Sequence, residues 1–217
     1  MPVSRDQGSP ETLLQYVDLL RIDASHKLDA AHRSKSGQFF TSIGTARIMA
    51  SMFSERSERI GLLDAGAGVG SLAAACVAQV CGWKKKPREV TVTAYEIEPL
   101  LIDYLQRTLG VCKTTCDNAD VKFDYEIIEQ DFIVTNVMLL RDKSIRCQSR
   151  SFNMAIVNPP YRKIGSESGT KRLLRTVGID AGNLYTAFLS LLARMLGLGS
   201  VRSGGFAISS PSTREYS

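Results

Sequence analysis

Along this chain the spacing of apolar positions changes period several times. From Glu11 to Ala31 the residues Leu13, Leu14, Val17, Leu20, Leu28 and Ala31 recur at three- and four-residue steps, which predicts an amphipathic helix. A polar stretch over residues 32–42 follows, and its closing hydroxyls predict the cap of a second helix through Ile43, Ala46, Met49, Ala50 and Phe53. Ile60-Gly61-Leu62-Leu63-Asp64 is a short apolar run that breaks into Ala65-Gly66-Ala67-Gly68-Val69-Gly70, with small apolar residues from Leu72 to Val80; this reads as strand, glycine loop, helix. The β-branched run Val90 to Tyr95 predicts a second strand, and Pro99 opens a helix to Leu109.

Two further runs, Val121 to Ile128 and Phe152 to Val157, predict strands three and four. Residues 162–180 are rich in Gly, Ser and basic side chains and predict a mobile basic loop; helix returns from Asn183 to Leu196, and Phe206 to Ser209 predicts a last strand. Strands alternating with helices predict an α/β domain with a mostly parallel, doubly wound sheet. In such a sheet ligands sit outside the carboxyl ends of the strands, so the glycine loop, Glu96, Gln130-Asp131-Phe132 and Asn158-Pro159-Pro160-Tyr161 converge on one crevice.

Composition narrows the class. At 217 residues with 44% hydrophobic content the chain has the length and apolar mass of one folded domain, and neither disorder nor a disulfide scaffold fits. Its net charge is +5. The N-terminus lacks an apolar core and no run of about 18 apolar residues occurs, which predicts a cytoplasmic protein with no membrane partner. Five cysteines without Cys-x-x-Cys spacing predict reduced structural thiols; Cys112 and Cys116 lie one helical turn apart, but no histidine follows nearby, and no metal is expected.

The chemistry-bearing residues cluster at the predicted strand ends. Small residues in Asp64-Ala65-Gly66-Ala67-Gly68-Val69-Gly70 let backbone approach a ligand, and the helix behind offers N–H groups to an anion; the plain alternative is a tight turn between buried elements. Ser71 stands where a dinucleotide fingerprint needs its third glycine, which argues against a nicotinamide dehydrogenase. Glu96 is placed to accept hydrogen bonds from both hydroxyls of a ribose, and Asp131 to meet an adenine amine, unless each is a solvated charge. In Asn158-Pro159-Pro160-Tyr161, two prolines stiffen the loop and leave the Asn amide oxygen and the Pro159 carbonyl as acceptors for a planar NH2 group, with Tyr161 to stack on its ring; the plain alternative is a strand-ending turn.

Taken in order, Lys35-Ser36-Gly37-Gln38-Phe39-Phe40-Thr41, Leu63 to Gly70, Tyr95-Glu96, Asp131-Phe132, Asn158 to Tyr161 and Gly182-Asn183-Leu184-Tyr185-Thr186-Ala187-Phe188 resemble the gamma-class DNA N6-adenine methyltransferases of bacterial restriction-modification systems. The resemblance spans residues 35–209. It implies a Rossmann-like methyltransferase fold with S-adenosyl-L-methionine in the crevice: Phe40, Thr41, Asp64, Gly66, Gly68 and Gly70 around its methionine part, Glu96 on its ribose, Asp131 and Phe132 on its adenine. Asn158, Pro159, Pro160 and Tyr161 would take a target adenine flipped out of double-stranded DNA. Residues 1–58 would form an N-terminal helical segment and 59–217 the catalytic core. Relatives continue past Ile208 where residues 209–217 depart from their pattern. The resemblance therefore implies a core lacking its last strands and its target-recognition domain, with a complementary C-terminal polypeptide or a specificity subunit as partner. Methylation of an RNA base or a protein glutamine, and a cofactor-binding fragment without turnover, are the alternatives. Arg162, Lys163, Lys171, Arg172 and Arg175 are expected on DNA phosphates, and Lys84, Lys85 and Lys86 in solvent.

Overall fold

Leu62 and Leu63 point to opposite faces of one strand, and that two-residue period organises the molecule. The structure, a computed structural model, describes residues 8–28, 40–54, 57–141, 152–195 and 205–208. Its elements are α1 (Pro10–Lys27), α2 (Ile43–Ala50), β1 (Arg59–Ala65), α3 (Ser71–Cys81), β2 (Glu89–Tyr95), α4 (Pro99–Asn118), β3 (Lys122–Ile128), α5 (Phe132–Arg141), β4 (Met154–Val157), α6 (Gly169–Arg175), α7 (Leu184–Met195) and β5 (Gly205–Ile208). The strands form one sheet in the order β3-β2-β1-β4-β5, and every pairing is parallel.

Val90, Val92, Ala94, Met154 and Ile156 pack with α1 to α4 on one face, while Tyr95, Ala155 and Val157 pack with α5 to α7 on the other. The sheet is therefore doubly wound, as the alternating pattern predicts. Strand order reverses between β1 and β4, which leaves a crevice beyond their carboxyl ends. Ala65, Tyr95 and Ile128 are in register across β1, β2 and β3, so the residues that follow them open onto that crevice side by side.

Local capping accounts for the helix starts. Ser9 accepts from the Thr12 amide at 3.2 Å with Pro10 at the first turn, and Ser42 accepts from the Thr45 amide at 3.2 Å. Several boundaries differ from expectation. Helix α1 ends at Lys27 rather than Ala31, because Leu28 turns into extended backbone and buries its side chain with Leu101 and Tyr104. Helix α4 runs through Gly110 to Asn118 instead of stopping at Leu109: Cys112, Thr115 and Cys116 continue its buried face, and that burial outweighs the roughly 1 kcal/mol cost of a mid-helix glycine. Helix α5 was not predicted, although Phe132, Ile133, Asn136 and Val137 give it one buried face.

Residues 162–180 are not simply a mobile loop. They contain α6, capped by Ser168 and anchored by the fully buried Leu174. Cys76, Cys81, Cys112 and Cys116 are buried free thiols, with the Cys81 and Cys116 sulfurs 3.8 Å apart, and no group of three metal-ligating side chains occurs among the described residues. No helix among the described residues is long and apolar enough to cross a membrane. Lys35 to Phe39 of the Gly-Gln-Phe-Phe-Thr segment, Cys147, Leu196 and residues 209–217 lie outside the described residues.

Candidate active-site cleft

Beyond β1, β2 and β4 lies a cleft of about 220 Å³. Phe40, Gly66, Gly68, Glu96, Asp131, Phe132, Asn158, Pro159, Pro160 and Tyr161 all line it, so ten of the thirteen residues singled out from sequence meet in one place. Thr41, Asp64 and Gly70 do not line it, and each has another task.

The glycine loop is held from below and from the side. Gly66 and Ala67 both donate to the Tyr95 carbonyl at 2.9 Å, which fastens the loop over the end of β2. Gly68 adopts φ +58°, and a Cβ there would meet nothing within 4 Å, so bare backbone faces open space in the cleft wall. Gly70 serves packing. At φ +85° it precedes α3, and a Cβ would fall 2.9 Å from Leu105 Cδ1 and from Thr108 Cγ2. Its place in the predicted ligand cradle is thus corrected to the close approach of the loop to α4.

Glu96 braces the loop from the β2 side. One carboxylate oxygen accepts from the Ile97 and Glu98 amides at 2.8 and 2.9 Å, and the other from Gly68 at 2.7 Å. Burial pushes its pKa up and those three amides pull it down. The expectation for Glu96 is a pair of ribose hydrogen bonds. With three acceptor sites already used, room for one more remains on the oxygen facing Gly68.

Asp64 is a sharper correction. It is fully buried at the end of β1 and accepts from the Ala73 amide at 3.2 Å in the first turn of α3, which ties strand to helix beneath the loop. Its other oxygen and the Ser71 hydroxyl have no hydrogen-bond partner among the described residues. Burial, opposed by the Ala73 amide and reinforced by the Glu96 charge, raises its pKa to about 7. An acid whose folded pKa lies above its unfolded one costs stability progressively as pH rises from the unfolded value through the folded one, and no further above it. We expect unfolding free energy to fall by roughly 2–3 kcal/mol between pH 5 and pH 8 in the wild type relative to Asp64→Asn, in which the effect is gone. Urea unfolding of both proteins at the two pH values checks this; parallel profiles would contradict it.

Asp131 ends the turn after β3. One of its oxygens accepts from the Val134 amide at 2.9 Å and caps α5, which leaves the second for a donor in the cleft. Phe132 lies edge-on to Tyr95 at 5.1 Å and tilted against Phe188 at 4.8 Å, giving the cleft an aromatic floor. Tyr95, Ile97 and Phe188 also line the cleft; Tyr95 and Phe188 stand in the motifs that carry the resemblance, while Ile97 had no signal beyond following a strand end.

Asn158, Pro159, Pro160 and Tyr161 form the opposite wall. Asn158 donates from Nδ2 to Thr41 Oγ1 at 3.0 Å, so the residue expected beside a cofactor instead orients the amide at the end of β4. Tyr161 stacks on Tyr185 at 5.5 Å with 19° between the rings. The chain then runs antiparallel to the start of α7: Leu184 donates to the Arg162 carbonyl and Ile164 to the Gly182 carbonyl, both at 2.9 Å. The Gly182-to-Phe188 motif thereby fixes the Asn-Pro-Pro-Tyr loop.

No family model matches the sequence. The chain is 38% identical over 196 residues to the type II methyltransferase M.PstI of Providencia stuartii and 35% identical over 190 residues to the type II methyltransferase M.BsuBI of Bacillus subtilis. These alignments cover 90% and 86% of this chain but 37% and 36% of the relatives, so the chain spans little more than a third of their length. Among solved structures, a Listeria monocytogenes protein described as a class I S-adenosylmethionine-dependent methyltransferase aligns with TM-score 0.54 at 12% identity, covering 89% of this chain and 52% of that one. The methyltransferase subunit of a type I restriction-modification system from Streptococcus thermophilus aligns with TM-score 0.52 at 19% identity, covering 96% and 40%. Nearly the whole chain is thus related in sequence to part of the type II methyltransferases, and its fold is the Rossmann-like fold of the S-adenosylmethionine-dependent methyltransferases.

Proposed function

We propose that this chain transfers a methyl group from S-adenosyl-L-methionine to N6 of an adenine displaced from double-stranded DNA, as the modification activity of a restriction-modification system. The observation that carries this reading is the Asn158-to-Tyr161 loop, set across the cleft from bare glycine backbone with its Asn amide held by Thr41. The cleft suits the cofactor. Gly66 and Gly68 present backbone without side chains, Glu96 has one acceptor site left for a ribose hydroxyl, and Asp131 has an oxygen for the adenine amine above the Phe132 floor.

When bound, the cofactor supplies a methyl carbon made electrophilic by its sulfonium sulfur. The Asn158 amide oxygen and the Pro159 carbonyl each accept one hydrogen of the target NH2 group, which turns the nitrogen lone pair toward that carbon. Methyl transfer to that nitrogen would leave the thioether as leaving group, and the amine's surplus proton would pass to solvent. Tyr161, backed by Tyr185, stacks on the displaced base and offsets part of its lost stacking in the duplex. Rate enhancement then rests on positioning.

Within residues 1–58, α1 and α2 pack on α3 and Phe40 and Thr41 reach the site, while the described residues from Arg59 onward carry the rest of it. The greater length of the relatives supports a recognition part beyond the aligned region, on the same polypeptide, on a complementary one or on a specificity subunit. Transfer of labelled methyl groups to unmethylated duplex DNA, duplex RNA and a glutamine-containing peptide tests the reading. Label in N6-methyladenine from the DNA alone is expected; label confined to RNA or peptide would overturn it.

A further inference from the structure

Five basic residues follow Tyr161 within fourteen positions, and their surroundings divide them into two groups. Lys171 is nearly buried, pairs with Asp180 at 2.5 Å and donates to the Ala181 carbonyl at 2.9 Å. Arg175 shares Asp180 at 3.7 Å, and Arg172 donates to the Glu167 carbonyl at 2.6 Å. All three side chains are tied to groups of residues 167–181, but only Lys171 is drawn into the chain, and Arg172 and Arg175 remain exposed. The expectation of a DNA-phosphate contact is corrected for Lys171, whose ammonium is taken up by Asp180 and the Ala181 carbonyl.

Arg162 and Lys163 differ. Both are exposed, and among the described residues neither side chain forms an ion pair or hydrogen bond. Arg162 lines the cleft beside Tyr161. Their backbone is not loose, because the bonds from Leu184 to the Arg162 carbonyl and from Ile164 to the Gly182 carbonyl clamp the pair to the start of α7. Two uncompensated cations are thus displayed from a fixed backbone, Arg162 in the cleft lining and Lys163 next to it in the chain.

We propose that Arg162 and Lys163 form a phosphate clamp that grips the nucleic-acid backbone flanking the base held by Asn158 to Tyr161. The clamp rests on the adenine-methylating reading of the cleft and names the chain's own residues for its polyanionic substrate. The chemistry favours this partner: the cofactor carries no phosphate, whereas each phosphate neutralised by a side chain releases a counterion and gives sequence-independent affinity. Contacts of this kind orient a duplex without reading its bases.

The test is binding of a short mixed-sequence, unmethylated DNA duplex across a salt series, with the wild-type chain, Arg162→Gln/Lys163→Gln and Arg172→Gln/Arg175→Gln. The clamp predicts that the slope of log affinity against log salt becomes shallower by about 1.8 in the first variant and stays at the wild-type value in the second. It also predicts unchanged S-adenosyl-L-methionine affinity in both. An unchanged slope in Arg162→Gln/Lys163→Gln, with methyl transfer to DNA intact in the wild type, overturns the clamp alone. Loss of cofactor affinity in that variant overturns it in favour of an Arg162 contact to the methionine carboxylate. A wild-type chain that neither binds nor methylates duplex DNA overturns the clamp together with the function it rests on.

Discussion

Asn158→Ala is expected to lower methyl transfer by about 10²–10³-fold or more while leaving S-adenosyl-L-methionine affinity unchanged. The reason lies in what the amide is asked to do. An exocyclic amine conjugated to a purine ring is a poor nucleophile, and acceptors that draw its hydrogens into a fixed plane are the chain's main means of freeing its lone pair. Asn158 supplies one of the two acceptors, and its own orientation depends on the bond to Thr41. Alanine removes the acceptor without touching the glycine loop, Glu96 or Asp131. Single-turnover rates with duplex DNA, set beside cofactor titrations, separate the two effects. Transfer at the wild-type rate in the alanine protein would remove Asn158 from the mechanism. A Thr41→Val protein is expected to lose less than Asn158→Ala, since the acceptor stays but its orientation is released.

Gly70→Ala is expected to destabilise the folded chain by roughly 2–5 kcal/mol, of which about 1–2 comes from forcing an L residue into left-handed backbone and about 1–3 from overpacking. The added Cβ would meet Leu105 and Thr108 at 2.9 Å, and both belong to the buried face of α4. Thr108 also donates to the Val69 carbonyl at 2.7 Å, so pushing α4 away strains the loop as well. Gly68→Ala is the contrasting case, because its Cβ has open space and the cost is conformational. Urea unfolding of the two variants checks the difference. Equal stabilities would mean that the loop and α4 do not approach as closely as described.

How much of this was legible in the sequence depended on the kind of signal. Short β-branched and aliphatic runs announced the strands, because a sheet covered on both faces leaves a near-continuous apolar stretch such as Met154 to Val157. Glycine, Asn-Pro and strand-end carboxylates marked the cleft for a related reason, since each is costly in a strand interior and tolerable at its end. What stayed hidden was set by partners distant in sequence. That Asp64 lies beneath the loop depends on Ala73, that Thr41 serves Asn158 depends on a bond across 117 positions, and that Lys171 is spent on Asp180 depends on the turn of α6. A basic run reads the same from sequence whether its charges face solvent or a neighbouring carboxylate. Helix α5 is hidden for a different reason: Asp131 and Phe132 look like ligand contacts at a strand end, and the same two residues also start a helix.

A calorimetric titration of the purified chain with S-adenosyl-L-methionine, run on the wild type and on Asn158→Ala, tests most directly how the cleft is divided. A cofactor held by the glycine loop, Glu96 and Asp131, apart from the amine-binding wall, predicts saturable binding of equal affinity in both proteins. Absence of binding in the wild type, or its loss in the alanine variant, would contradict that division of the cleft.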